Sequence, residues 1–163
     1  MSVFKNPYAA DLGDRVPLDA LADAADVIRR TCAAFDASRW AASYGPGKWT
    51  AAEILVHLAQ IEMVFGVRAR FALGSGGYVA LAFDQDPFMA VESPLVDGPT
   101  ALQGFLGLRA LNVRFFRGLT ASQLAETFQH PEQGTMAVSD LVAYLAGHDW
   151  RHVGQLRQIA NGD

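Results

Sequence analysis

The chain has a single cysteine, Cys32, among its 163 residues. One cysteine excludes an intramolecular disulfide framework and fits a reducing compartment. No run of about 20 apolar residues occurs, which excludes a membrane-spanning helix of the ordinary kind. Lys and Arg form no concentrated run. With a net charge of −4 and a pI near 5.5, the chain lacks the basic face of a general nucleic-acid binder. The stretch from Met1 to Asp14 carries Lys5 but no apolar core of a signal peptide, so a cytoplasmic location is expected. Strand-like alternation, internal repeats and low-complexity tracts are also missing. So is the glutamate of an H-E-x-x-H motif: residue 149 is Asp and residue 151 is Arg, which argues against a zinc peptidase.

What is present is apolar and helical. Hydrophobic residues make up 51% of the chain and charged residues 18%. A chain of this length buries roughly two-thirds of its unfolded surface, and residues 1–163 are read as one domain. Leu18, Leu21, Ala25, Ile28, Cys32 and Phe35 recur at three- and four-residue steps, predicting a helix over 18–42 with Pro17 in its first turn. Thr50 and Glu53 are spaced as a capping box for a second helix over 51–73. Its broad inward face carries Ile54, His57, Leu58, Ile61, Val64, Phe65 and Arg68. Residues 78–98 are expected to be irregular, with room for a helical turn; so long a connection suggests a crossover or a functional loop. A third helix is expected over 99–119, with Gly104 and Gly107 permitting close helix approach. After a second connection, 120–138, a fourth helix is expected over 140–160, with Ser139 as its N-cap. Four amphipathic helices with one long connection give an all-α four-helix bundle with a long crossover.

The inward stripe of the fourth helix reads Leu141, Tyr144, Leu145, His148, His152, Gln155, Ile159. His148 and His152 are four residues apart, so both imidazoles leave one face about one turn apart. Two neutral imidazoles so placed can chelate a divalent metal, and His57 from the second helix would complete a three-nitrogen site with open positions. A single histidine on an apolar face is more often a core residue satisfied by one hydrogen bond. Three on facing stripes are harder to explain so, because a buried imidazole without partners costs about 1–3 kcal/mol.

The segment Trp49-Thr50-Ala51-Ala52-Glu53-Ile54-Leu55-Val56-His57-Leu58, with Gly147-His148-Asp149-Trp150-Arg151-His152-Val153-Gly154-Gln155, resembles the DinB / YfiT-like superfamily across nearly the whole chain. That resemblance implies a dimeric four-helix bundle binding a divalent metal through His57, His148 and His152. It also implies candidate chemistries: S-transfer from a low-molecular-weight thiol such as bacillithiol or mycothiol, a mycothiol-dependent isomerisation, or metal-dependent hydrolysis. Imidazole ligands suit zinc and nickel, among others. The expected function is a metal-dependent thiol S-transferase acting on a small-molecule electrophile. The alternatives are a hydrolase, or a non-catalytic bundle stapled by its metal.

Gln155, one turn beyond His152, is placed to orient a ligand, or else is an ordinary buried amide. Glu53 is assigned mainly to its cap, with the site as its other destination. Asp84 and Asp86 either line the pocket mouth or cap a turn, the commoner use. His130 is expected in an exposed loop, and Arg151 facing solvent or a partner. Glu62 and Arg68 are expected in solvated ion pairs, with a substrate anion as the alternative. Cys32, Trp40, Trp49 and Trp150 are assigned to packing, with Trp49 also able to wall a pocket.

Overall fold

A computed structural model describes residues 4–162. Four long helices dominate. After the single turn α1 (Ala9–Leu12) comes α2 (Pro17–Cys32), with Pro17 at its first position, where its missing N–H is not needed. The predicted helix over 18–42 stops early. Asp36 leaves the helical conformation and accepts the Arg39 amide at 2.9 Å, capping a separate turn α3 (Ala37–Trp40). Aspartate competes with its own backbone inside helices and is favoured at caps, which explains the break. Helix α4 (Ala51–Gly74) begins at the expected Thr50/Glu53 capping box. The crossover contains α5 (Gln85–Glu92), capped by Asp84 through the Asp86 amide. Helix α6 (Gly98–Arg117) is capped by Asp97, and the turn α7 (Ala121–Leu124) by Thr120.

A hairpin follows, where the sequence showed no strand pattern. Strands β1 (Thr127–His130) and β2 (Gly134–Ala137) pair antiparallel, with Phe128 opposite Met136. Both of these side chains are buried, and the outward neighbours are not. Four residues per strand are too few for alternation to stand out from noise. Helix α8 (Val138–Asn161) starts earlier than expected. Its cap is not Ser139: the Asp140 carboxylate accepts the Ala137 amide at 2.9 Å.

Two buried clusters fix the helix directions. One end of the core joins Leu21, Phe65, Phe116 and Leu141; the other joins Ile28, Leu55, Phe105 and Leu156. Sequence order through these clusters makes α2 and α8 parallel neighbours, and α4 and α6 parallel neighbours running the opposite way. A parallel pair cannot be joined by a tight turn, so the α4–α6 connection must travel the length of the bundle. Gly104 and Gly107 make no close approach, since a β-carbon at either would meet nothing within 4 Å. Close contacts lie elsewhere: at Gly147, where a β-carbon would collide with the Tyr8 carbonyl, at Gly98 against the Trp40 ring and at Gly66 against Asn112. Among the described residues no helix is long and apolar enough to cross a membrane.

The bundle centre is polar at one point. Arg109 of α6, 2% exposed, donates to the Leu21 carbonyl of α2 at 2.8 Å and to Glu62 of α4 at 2.6 Å, and lies 2.5 Å from Asp149 of α8. Asn112 adds a 2.9 Å bond to Glu62. Glu62 is thus not in a solvated ion pair, as the sequence suggested, but in a fully buried one. Losing one partner of such a set leaves an uncompensated charge, which typically costs about 3–5 kcal/mol, whereas replacing all partners by apolar residues is often neutral. Arg109→Met is therefore expected to lower unfolding free energy by about that much. The triple change Glu62→Met, Arg109→Met, Asp149→Leu is expected to recover most of it. Urea denaturation of the two variants checks this; a loss under about 1 kcal/mol for Arg109→Met would show that the ion set is not stabilising in context.

Candidate metal centre

Helix α4 presents His57 and helix α8 presents His148 and His152, all at least 94% buried. The i, i+4 spacing on α8 puts its two rings on one face, and the antiparallel α4 brings His57 against them. His57 Nε2 is 3.0 Å from His148 Nε2, which is 3.1 Å from His152 Nε2. One ligand atom from each residue falls within 4.8 Å of the others, and among the described residues no other group of three or more His, Cys, Asp or Glu does so. Two nitrogens about 2.05 Å from one tetrahedral zinc would be about 3.3 Å apart, so the observed edges suit a shared ion.

The outer nitrogens also fit. His152 Nδ1 is 2.7 Å from Gln155 Oε1. An amide oxygen only accepts, so the proton sits on Nδ1 and the Nε2 lone pair faces the cluster. Gln155 thus orients a candidate ligand. His148 Nδ1 lies 3.8 Å from Asp149 Oδ1, and neither atom has a hydrogen-bond partner; His57 Nδ1 is likewise buried and unpaired. Arg109 anchors Asp149 from behind. Aromatic rings close the site. Trp49 stacks on His152 and tilts against His57, while Tyr8 meets His148 edge-on and Tyr144 stacks on it. Tyr8 is held there by Arg151, which packs over its ring and pairs with Asp11. Arg151 is exposed, as the sequence suggested, and also fastens the α1 segment.

The other sequence candidates are dispersed. Glu53 is committed to its cap, its Oε2 accepting the Thr50 amide at 2.7 Å and hydroxyl at 2.9 Å. Asp84 caps α5, and Asp86 lies in that helix's first turn. Their neighbour Gln85 instead lines both cavities that reach the histidines: one bordered by His57 and His148, the other by His152, Gln155 and Trp49. His130 is not in an exposed loop but half-buried at the end of β1, on the wall of the first cavity. Arg68 lines the same cavity and is 5% exposed. Glu62, Arg109, Asp149 and Gln85 were not singled out in the sequence as parts of this arrangement. The available signal was register: Arg109 falls between Phe105 and Val113 on one apolar stripe of α6.

Burial dominates the electrostatics. It pushes His57 down to about 2, with further lowering from His148 and His152. It pushes His148 and His152 down to about 3, with Arg109 and Arg151 adding to the effect at His148, and chiefly His148 at His152. Neutral imidazoles are the metal-binding form. The native rings resist protonation down to about pH 3, whereas the unfolded ones take up protons below about 6.5. Stability from this source is complete above about pH 6.5 and is lost as pH falls toward 3. Asp149, pushed up by burial, works the opposite way. Metal-free protein should show its urea midpoint falling between pH 6.5 and 4, and His57→Leu should flatten that slope. A slope unchanged by His57→Leu would remove the histidines as its cause.

Comparison with known proteins follows the same lines. Two proteins of Oceanobacillus iheyensis, each described as a candidate metal-dependent hydrolase, are 25% identical over 115 residues and 26% identical over 121. These matches span 71% and 72% of this chain but 66% and 68% of those proteins, so the chain covers about two-thirds of their length. The structure of YfiT from Bacillus subtilis, described as a candidate metal-dependent hydrolase with an unusual four-helix bundle topology, superposes with a TM-score of 0.81 at 17% identity. That superposition covers 99% of this chain and 90% of YfiT. The mycothiol-dependent maleylpyruvate isomerase superposes with a TM-score of 0.71 at 12% identity, covering 86% of this chain and 59% of the isomerase. These likenesses establish the fold, with its parallel pairs and long crossover. The DinB superfamily model matches residues 20–156, and the chain belongs to that superfamily.

Proposed function

We propose that the protein holds one divalent metal, zinc or nickel, on the Nε2 atoms of His57, His148 and His152, and uses it for thiol S-transfer to a small electrophile. The observation that carries this reading is the convergence of three neutral, buried Nε2 atoms at 3.0 and 3.1 Å edges, with no fourth His, Cys, Asp or Glu among the described residues in the cluster. A site closed by a fourth protein ligand would act as a staple; a three-nitrogen site leaves room for a reactant. A metal held there would supply Lewis acidity, lowering the pKa of a thiol or water brought to it. The protein's own residues do the rest. Gln155 fixes the His152 tautomer, and Asp149, braced by Arg109, backs His148. Trp49, Tyr8 and Tyr144 restrict water around the rings. Gln85, at the start of α5, borders both approaches, so the crossover is placed to select what enters. Hydrolysis is the second reading, favoured by the descriptions of the relatives.

Cys32 is not a nucleophile in this scheme. It is 3% exposed, and burial pushes its thiol up to about 12. Zinc titration by calorimetry should give one site, abolished in His152→Ala, intact in His130→Ala, and weakened about 10- to 100-fold in Gln155→Leu. The zinc-loaded protein should accelerate conjugation of a low-molecular-weight thiol to an electrophile. His148→Ala should remove that rate, and Cys32→Ser should leave it. Metal-dependent cleavage of esters or amides without thiol conjugation would favour hydrolysis. The absence of both would leave a staple or binding module.

The same reading includes a homodimer. Met63, Val67, Phe71, Leu81 and Phe88 are exposed and line one apolar groove on the α4–α5 side. Contiguous apolar surface of this kind marks an interaction site, and a two-fold pairing of this face would cover it. Light scattering at micromolar concentration should give twice the 17.6 kDa chain mass. A monomer mass there would refute the dimer.

A further inference from the structure

The fold contains two buried guanidinium groups, and they are treated differently. Arg109 is matched by two carboxylates. Arg68 is 5% exposed, yet its hydrogen bond among the described residues is a single 2.8 Å contact from Nη2 to the Leu81 carbonyl. No described carboxylate lies within ion-pairing distance of it. An arginine has five N–H donors in a rigid fork and cannot shed its charge, so burial without a counter-ion is costly. Glu132, which acts on Arg68 from beyond ion-pairing distance, offsets that cost only in part and leaves the fork open to a bound anion.

The surroundings say where that anion would sit. Arg68 is eleven residues beyond His57, about three turns along the same face of α4. Both line one cavity of about 100 Å³ that also reaches His148. Across it stands His130, whose Nδ1 accepts the amides of Glu132 and Gln133 at 3.2 and 3.3 Å. Two donors on Nδ1 fix its lone pair there, so the neutral ring carries its proton on Nε2 and has a donor to spare. Glu132, on the same rim, is exposed, and its charge acts on both Arg68 and His130 without pairing directly with either. The remaining wall mixes the apolar Ile61, Phe65, Phe83, Phe128 and Leu141 with polar groups such as Gln85, Gln133 and Tyr144. One guanidinium matches one negative charge. Its fork fits a carboxylate in two parallel bonds, and the apolar part of the wall has room for a short hydrocarbon chain.

We infer that Arg68, with the His130 Nε2–H as a second donor, forms a carboxylate subsite beside the candidate metal centre, so that the substrate of the proposed reaction is a small monocarboxylate. The inference names the substrate class for the metal site proposed above and rests on that reading for its role in catalysis, but not for its binding chemistry.

The test uses zinc-free full-length protein, so that no ion competes for the probe. Amide chemical shifts are followed by NMR during titration with butanoate, and separately with its neutral isostere butanamide. Butanoate is expected to shift residues around Arg68 and His130, and butanamide is expected not to. Arg68→Met should raise the butanoate Kd about tenfold or more, since a hydrogen-bonded charge pair is lost. Arg68→Lys should give a smaller loss, because it keeps the charge without the fork, and His130→Ala a smaller one again. Zinc binding by Arg68→Met should equal that of the unmodified protein. A role confined to fastening the crossover through Leu81 predicts no preference for butanoate over butanamide. That result, unchanged affinity in Arg68→Met, or no butanoate binding at all would overturn the inference. If Arg68→Met fails to fold, Arg68→Lys and the comparison of the two probes still decide. If zinc binding fails while the butanoate results hold, the metal reading falls and the carboxylate subsite stands.

Discussion

The structure turns on the guanidinium of Arg109. It joins all four long helices: it sits on α6, donates to the α2 backbone and the α4 carboxylate of Glu62, and lies against Asp149 of α8. Apolar packing is non-directional and tolerates sliding of one helix on another. A buried charge set does not, because a displaced partner is left desolvated and alone. The arrangement therefore fixes the relative height of α4 and α8, and with it the height of His57 against His148 and His152. Asp149 is the link, since it follows His148 directly and both are held by the same turn of α8.

That constraint supports an electrostatic environment suited to cation binding. Three imidazoles are kept neutral chiefly by burial, with the cations Arg109 and Arg151 adding to the effect at His148, and their Nε2 atoms face one another. Around them the protein supplies an acceptor for one Nδ1, a braced carboxylate near the second, and none for the third. A purely structural core has little use for three lone pairs directed at one point. The aromatic enclosure strengthens any interaction made there by keeping water out.

Access is governed by segments that are not bundle helices. The crossover brings Gln85 to both openings, the hairpin brings His130 to the one bordered by His57 and His148, and the α1 segment lays Tyr8 over His148. The bundle can thus hold one metal geometry while these three segments vary the opening. Gly147 is required for this arrangement, since any side chain there would push the Tyr8 segment off α8.

Much of this was legible in the chain. The four helices followed from three- and four-residue apolar spacing, the start of α4 from Thr50 and Glu53, and the candidate triad from histidines on inward stripes. These are local properties: a helix converts sequence spacing into a face, so i, i+4 on α8 fixed the His148–His152 geometry before any fold was known. The separation at Asp36, the Asp140 cap, the hairpin and the roles of Glu62, Arg68 and Arg109 were not legible. Each depends on what a neighbouring element offers. A charged residue on an apolar stripe is ambiguous until its partners are seen, because the same arginine can extend to solvent, close an ion set or wait for a ligand. The sequence determined which residues share a face. Only tertiary packing decided which faces meet and which buried charges are matched, leaving Arg109 paired and Arg68 open to a cavity.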